Sequence, residues 1–321
     1  MTQTNLGNLR MAFVFPGQGS QSPGMGKELA ENFPVAREVF EEADEALGFS
    51  ISRLCFDGPE EDLQLTENTQ PAILTVSVAA FRVMTEAGIS APAFVAGHSL
   101  GEYSALVAAG ALKLSDAVRT VRARGRYMQE SVPVGTGAMA AVIGGELSEI
   151  QGACDEASGD QVCSVANINA PNQVVIAGNT EAVDRAIELL KSIAKRVIKL
   201  KVSAPFHCAL MKPAQHRLAS DLEQLTFNEP ATPVVTNVDA RATSAPDLLR
   251  DSLVRQVSAP VRWLESMQVL IQSGVDTFVE AGSGKVLSGL MRQTSREMKT
   301  LNVEDAASLE TTHAALAARI D

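Results

Sequence analysis

Gly97-His98-Ser99-Leu100-Gly101 is the segment of this sequence best equipped for chemistry. It fits G-x-S-x-G, the pattern of a nucleophile elbow. A nucleophilic serine must sit on a tight turn with its hydroxyl exposed. Glycine two positions to either side removes side chains that would clash in that turn. A helix after the turn aims backbone N–H groups at the negative charge that develops during attack. With glycine at about 7% of residues, chance produces the pattern in about one chain in ten of this length. The flanks therefore decide. Ala93–Ala96 reads as an apolar strand, and the pattern predicts a helix from about Leu100 to Ala109. Strand, turn and helix are the context that the mechanism requires.

A serine nucleophile needs a base. The chain offers His98, His207, His216 and His313. His98 adjoins the serine, and its side chain is expected to leave the turn in another direction. His216 lies in a helical pattern and His313 in the terminal helix. His207 follows Ser203-Ala204-Pro205-Phe206, just before a helical stretch, where a side chain can project into a cleft. Elimination favours His207. A third group should orient the base. Asp116, Asp155, Asp160 and Asp184 lie between Ser99 and His207 in the chain. None stands in a convincing motif, so the residues alone supply no acid.

The elements that must position these groups alternate as in an α/β fold. Met11–Phe15 reads as a buried strand broken by Pro16-Gly17-Gln18-Gly19-Ser20. Helical patterning covers Met25–Leu47 and Pro71–Ala87, and another helix is expected to start with Ser115 as its N-cap. From Ala138 to Val202 the order changes to β-α-β-β-α-β, which matches the ferredoxin-like motif. The expected strands there are Ala138–Ile143, Val162–Ile168, Gln173–Ala177 and Arg196–Val202; the helices are Leu147–Ala157 and Thr180–Ala194. The α/β pattern then resumes: helices at His207–Leu225, Pro260–Gln272, Val286–Thr294 and Glu304–Ile320, strands at Pro233–Thr236 and Thr277–Glu280. The expectation is a large α/β domain of residues 1–133 and 203–321, with a small ferredoxin-like domain of residues 134–202 inserted in it.

Composition narrows the function. The chain has 321 residues and a formal net charge of -11, which argues against nucleic-acid binding. Cys55, Cys154, Cys163 and Cys208 show neither CxxC spacing nor a Cys/His cluster of the zinc type. Free thiols in a reducing cytosol are the expectation, with no metal. No leader and no membrane span are expected, which places the protein in the cytoplasm. Gly17-x-Gly19 lacks a third glycine at Ser22, and Gly284-Lys285 lacks the Walker glycine where Val279 stands. Neither supports a nucleotide-phosphate loop.

Several motifs taken together resemble the malonyl-CoA:acyl carrier protein transacylase family. They are Phe15-Pro16-Gly17-Gln18-Gly19-Ser20-Gln21, Gly97-His98-Ser99-Leu100-Gly101-Glu102-Tyr103-Ser104-Ala105, Gly135-Thr136-Gly137-Ala138-Met139, Asn167-Ile168-Asn169-Ala170-Pro171, Phe206-His207 and Gly282-Ser283-Gly284-Lys285-Val286-Leu287. Each alone is modest, but the ordered set spans nearly the whole chain. The resemblance implies an α/β-hydrolase-like large domain and an acyl-enzyme on Ser99, with His207 as base. It implies that Gln18 and Leu100 give backbone N–H groups to an oxyanion hole. It implies that the base is oriented by a backbone carbonyl, at Gln256, rather than by an acid. It also singles out Arg124 from the basic run Arg119, Arg122, Arg124 and Arg126 as partner of the malonyl carboxylate, which a guanidinium fork binds bidentately. Asn169 and Phe206 would border the substrate, with Phe206 favouring malonyl over branched units.

The implied reaction is ping-pong transfer from malonyl-CoA to acyl carrier protein, most simply in fatty acid biosynthesis, with coenzyme A thioester as substrate and no cofactor. Carrier proteins are typically acidic, so docking on a chain of net charge -11 needs a local positive surface. Lys195, Lys199 and Lys201 alternate with apolar residues and would share one strand face. Protection of a sheet edge is the competing explanation for them. A thioesterase or esterase, an inactive synthase subunit, and an acyltransferase serving a polyketide carrier are the rival functions.

Overall fold

The computed structural model describes residues 10–202 and 204–318. Residues 1–9 (where no leader was expected), Ser203 and residues 319–321, which include the expected helix end at Ile320, lie outside the described residues. Strand β1 (Met11–Phe15) is followed by helices α1 (Lys27–Asn32), α2 (Pro34–Leu47), α3 (Ile51–Asp57), α4 (Glu60–Leu63) and α5 (Thr66–Glu86). Strand β2 (Phe94–Gly97) runs into α6 (Gly101–Ala108), and α7 (Leu114–Glu130) follows. Next come β3 (Gly137–Ile143), α8 (Leu147–Ser158), β4 (Cys163–Ala170), β5 (Gln173–Asn179), α9 (Thr180–Leu190) and β6 (Arg196–Lys199). A single 3-10 turn leads into α10 (Lys212–Glu223), then β7 (Val234–Val235), β8 (Ala242–Thr243), α11 (Pro246–Gln256) and α12 (Trp263–Gln272). The chain closes with β9 (Thr277–Ala281), α13 (Val286–Thr294), β10 (Lys299–Val303) and α14 (Ala306–Ala317).

Two sheets result. The larger has the order β10-β9-β1-β2-β7-β8 and is parallel except for β8. Its central strands are apolar throughout, as burial on both faces demands; β1 is Met-Ala-Phe-Val-Phe and wholly buried. β1 and β2 are paired so that Phe15 lies opposite Gly97. The loops carrying Gln18 and Ser99 therefore leave the sheet side by side, at the carboxyl ends of parallel strands. That is where open α/β sheets bind ligands. Helix α5 is buried along most of its length, including both polar Thr69 and Gln70 in its first turns.

The smaller sheet, β4-β5-β3-β6, is antiparallel. One face holds its own core with α8 and α9, where Val142, Ile150, Ile176 and Leu190 meet. Met139, Ala166 and Val175 join the core of the larger unit. A short ladder ties the two units: Val261 N–H donates to Ala166 O at 2.9 Å and Ile168 N–H to Val261 O at 2.9 Å. The small sheet is thereby fixed as one wall of a cleft.

Some expected boundaries are corrected. The helix predicted over Met25–Leu47 is broken at Phe33, because Pro34 has no N–H to continue it and instead starts α2. α7 begins at Leu114 with Lys113 as its extended N-cap; Ser115 falls inside the first turn, because Leu114 is drawn into the core. The helix predicted over Thr180–Ala194 ends at Leu190, and the strand predicted to Val202 ends at Lys199. α3, α4, β8, α11 and β10 were not expected from sequence.

Candidate active site

Ser99 sits at φ 52°, in the left-handed region, on the turn between β2 and α6. A non-glycine residue there costs about 1–3 kcal/mol and needs over-determining contacts. Asn237, just beyond β7, supplies them. Its Oδ1 accepts from Ser99 N–H at 2.6 Å and its Nδ2 donates to Gly97 O at 2.7 Å. The Gln256 amide adds a third tie, donating to Ser99 O at 3.0 Å. Helix α6 packs so close to β1 that a Cβ at Gly101 would collide with the carbonyls of Phe15 and Pro16.

His207 is the second non-glycine residue with a left-handed φ, at 59°. Its buried ring spans two partners. Nδ1–H donates to the backbone carbonyl of Gln256 at 2.8 Å. A carbonyl only accepts, so this bond fixes the tautomer and leaves Nε2 bare. Nε2 accepts from Ser99 Oγ–H at 2.7 Å. Burial, then the charge of Arg124, push the imidazole down to about 3. His98 does turn elsewhere: Nε2–H donates to Asn169 Oδ1 at 2.8 Å, and the ring stands edge-on to Trp263. His216 and His313 are exposed on α10 and α14. None of the four aspartates reaches the histidine; Asp116 pairs with Arg119 and Asp184 with Lys199, while Asp155 and Asp160 are exposed.

Arg124 enters from α7, buried, with its guanidinium turned to the serine. Nη2 donates to Ser99 Oγ at 3.3 Å and to Gln256 Oε1 at 3.0 Å; Nη1 donates to Gln70 Oε1 at 2.6 Å. Nε has no hydrogen-bond partner among the described residues. No carboxylate pairs with the guanidinium among the described residues; amides hold it. Burial lowers its pKa, and the nearby Glu102 carboxylate opposes that shift.

These groups line a cavity of about 500 Å³ whose wall includes Gln18, Leu100, Phe206 and Asn169. Leu200 and Lys201 complete it from the small unit. A Cβ at Gly17 would collide with the His98 carbonyl, so the Gln18 loop lies directly against the elbow. The lysines separate: Lys195 and Lys201 are exposed, Lys199 is ion-paired with Asp184, and β6 is an edge strand.

The comparisons with known proteins agree with this geometry. Residues 12–317 match the family described as acyl transferase domain. The malonyl CoA-acyl carrier protein transacylase of Escherichia coli K12 is 52% identical over 285 residues, covering 88% of this chain and 92% of that protein. The enzyme of the same name from Bacillus subtilis is 48% identical, covering 94% of this chain and 95% of its own. The chain belongs to the malonyl-CoA:acyl carrier protein transacylase family. A crystal structure of an acyl carrier protein S-malonyltransferase from Vibrio cholerae matches with a TM-score of 0.93 at 48% identity, covering 94% of this chain and 99% of that one. A malonyl-transacylase solved in complex with a type II PKS acyl-carrier protein matches with a TM-score of 0.92 at 48% identity, covering 94% of this chain and 98% of that one. Both support a mixed α/β fold with a parallel sheet for this member of the transacylase family.

Sequence reasoning missed Gln70, Glu102, Asn237 and Ser252. Gln70 carried a readable signal, an amide at the head of a run in which Pro71 through Ala80 are all buried. Glu102 did too, as the one charged residue in a helix that is otherwise apolar or small. Asn237 and Ser252 follow no pattern that sequence alone reveals. The site's pH behaviour follows from His207. Its pKa is depressed, so the neutral, proton-accepting form persists as the pH falls. The second-order rate of Ser99 acylation at limiting malonyl-CoA, which reports the empty site, should lose less than about threefold between about pH 8 and pH 5.5. A loss of about tenfold centred near pH 6.5 would show an ordinary imidazole instead.

Proposed function

We infer that this chain transfers the malonyl group of malonyl-CoA to the phosphopantetheine thiol of an acyl carrier protein, through a malonyl ester on Ser99. The observation that carries this reading is the buried Arg124 guanidinium, 3.3 Å from the Ser99 hydroxyl and held by amides rather than a carboxylate. Such a charge favours an acyl group that brings its own carboxylate.

Ser99 Oγ attacks the thioester carbon as its proton passes to His207 Nε2. The oxyanion is held by the backbone N–H groups of Gln18 and Leu100. Collapse breaks the carbon–sulfur bond, and coenzyme A leaves with the proton from His207. The carrier's thiol then gives its proton to His207, attacks the ester and regenerates Ser99, which recovers that proton. The Gln256 carbonyl holds the imidazole in the tautomer both steps need. Phe206 limits substitution beside the malonyl carboxylate, and Asn169 steadies the wall through His98. In this reading coenzyme A is a substrate and the chemistry uses no metal or redox cofactor.

The architecture reads as an α/β-hydrolase-like domain, residues 1–133 and 203–321, with the ferredoxin-like unit at 134–202 as its insertion. Fatty acid biosynthesis in the cytoplasm is the setting we propose. The likeness to the transacylase bound to a type II PKS carrier favours, as a second reading, a polyketide carrier as acceptor.

Three measurements test the reading. Intact mass after mixing with malonyl-CoA should show a malonyl adduct that is absent in Ser99→Ala and discharges onto carrier protein; rapid loss to water would indicate a thioesterase. Arg124→Ala should lower malonylation on the order of a hundredfold more than acetylation, the worth of a bidentate charged pair; equal losses would refute the carboxylate role. The double variant Lys195→Glu, Lys201→Glu should weaken carrier affinity several-fold at low salt; an unchanged affinity would leave these lysines to edge protection alone.

A further inference from the structure

Glu102 lies on the first turn of α6, three residues after the nucleophile, and is fully buried. A buried carboxylate is costly unless every oxygen is satisfied. Here Oε2 accepts from Asn237 N–H at 2.9 Å and from Gln256 Nε2 at 2.9 Å, and Oε1 accepts from Ser252 Oγ–H at 2.9 Å. It touches no reacting atom. Its partners are the residue that clamps the elbow and two residues of α11.

Gln256 is the junction of the site. Its backbone carbonyl holds His207, and its amide oxygen accepts from Arg124. One amide hydrogen goes to Ser99 O and the other to Glu102. Burial raises the Glu102 carboxyl to about 7, but its Oε2 already accepts from Asn237 N–H, so an amide set between that oxygen and a donor-only guanidinium has one favourable orientation. The –NH2 must face Glu102 and the oxygen must face Arg124.

We propose that Glu102 is a positioning residue: it fixes the Gln256 amide and, through it, aims the Arg124 guanidinium at the carboxylate of the incoming acyl group. The proposal rests on the malonyl reading above and adds the residue that sets its selectivity. Position, not charge, is the operative property. In Glu102→Gln the amide oxygen can keep the bonds from Asn237 and Gln256. Its –NH2 can donate to Ser252 Oγ, whose own hydrogen is free to go to Leu249 O at 3.2 Å. Glu102→Asp keeps the charge but withdraws it by one carbon–carbon bond, out of reach of bonds that measure 2.9 Å. Glu102→Ala removes the acceptor and leaves a buried amide hydrogen unpaired.

The experiment compares single-turnover acylation by malonyl-CoA and by acetyl-CoA in the full chain. Glu102→Ala and Glu102→Asp should lower the malonyl-to-acetyl rate ratio about tenfold, the effect of one mispositioned charged hydrogen bond. Glu102→Gln should keep the ratio within about threefold. In a Gln256→Ala background, Glu102→Ala should lower the ratio no further, since the two act through one contact. Thermal melts confirm that each variant is folded; if the alanine variant is not, the Asp and Gln variants decide. Equal losses for both donors in the Ala and Asp variants, a Gln variant as impaired as Asp, or additive losses with Gln256→Ala would overturn the proposal. A wild-type chain that malonyl-CoA does not acylate would instead overturn the malonyl reading itself.

Discussion

A guanidinium buried beside a serine hydroxyl, bonded by amides and paired with no carboxylate among the described residues, is the constraint on which this structure depends. Desolvating a cation costs several kcal/mol even after relaxation. The fold meets part of that cost with dipoles: Gln70 Oε1 and Gln256 Oε1 face Arg124 from opposite elements. In the proposed reading the rest is left for the substrate. A carboxylate in either place would neutralise Arg124 and compete with the acyl group's own charge. Amides hold the fork in place while leaving its charge available, as the proposed pairing with a malonyl carboxylate requires.

Holding Arg124 in this way forces distant segments together. Gln70 comes from α5, Arg124 from α7, Gln256 from the end of α11, and Ser99 from the β2–α6 turn. The parallel register of β1 and β2 brings the Gln18 loop to the same level as the serine. One residue then serves two functions, since Gln256 orients the base through its carbonyl and the cation through its side chain. In the proposed mechanism, acyl transfer and recognition of the acyl group's charge therefore share a single point of support. Displacing α11 would disturb both.

Legibility in the sequence follows from this sharing. Ser99 and His207 could be read because an elbow has a local pattern and the chain has few histidines. Gln256 could enter only by resemblance, since any residue can offer a carbonyl. Arg124 was singled out by resemblance as well, yet its position carried a physical signal. Ala117, Val121, Arg124 and Met128 lie on one buried stripe of α7, whereas Arg119 and Arg126 lie off it. Helix α11 escaped notice for a related reason. Its inward face is Leu249, Ser252, Leu253 and Gln256, and the two polar members mask the apolar period. The residues that hid the helix are the ones that bind Glu102 and Arg124. A strand as short as β8 gives no period to read.

His207 stays neutral next to a cation. Arg124 disfavours a second positive charge nearby, and burial acts in the same direction on His207. The imidazolium formed during attack is therefore costly in the empty site. A malonyl carboxylate on Arg124 would remove much of that repulsion as the tetrahedral intermediate forms, and the oxyanion would favour the imidazolium further. An acetyl group supplies only the second effect. In the proposed reading donor selectivity has two sources, the pairing of the carboxylate with Arg124 and the easing of proton transfer to His207, and both depend on where the guanidinium points.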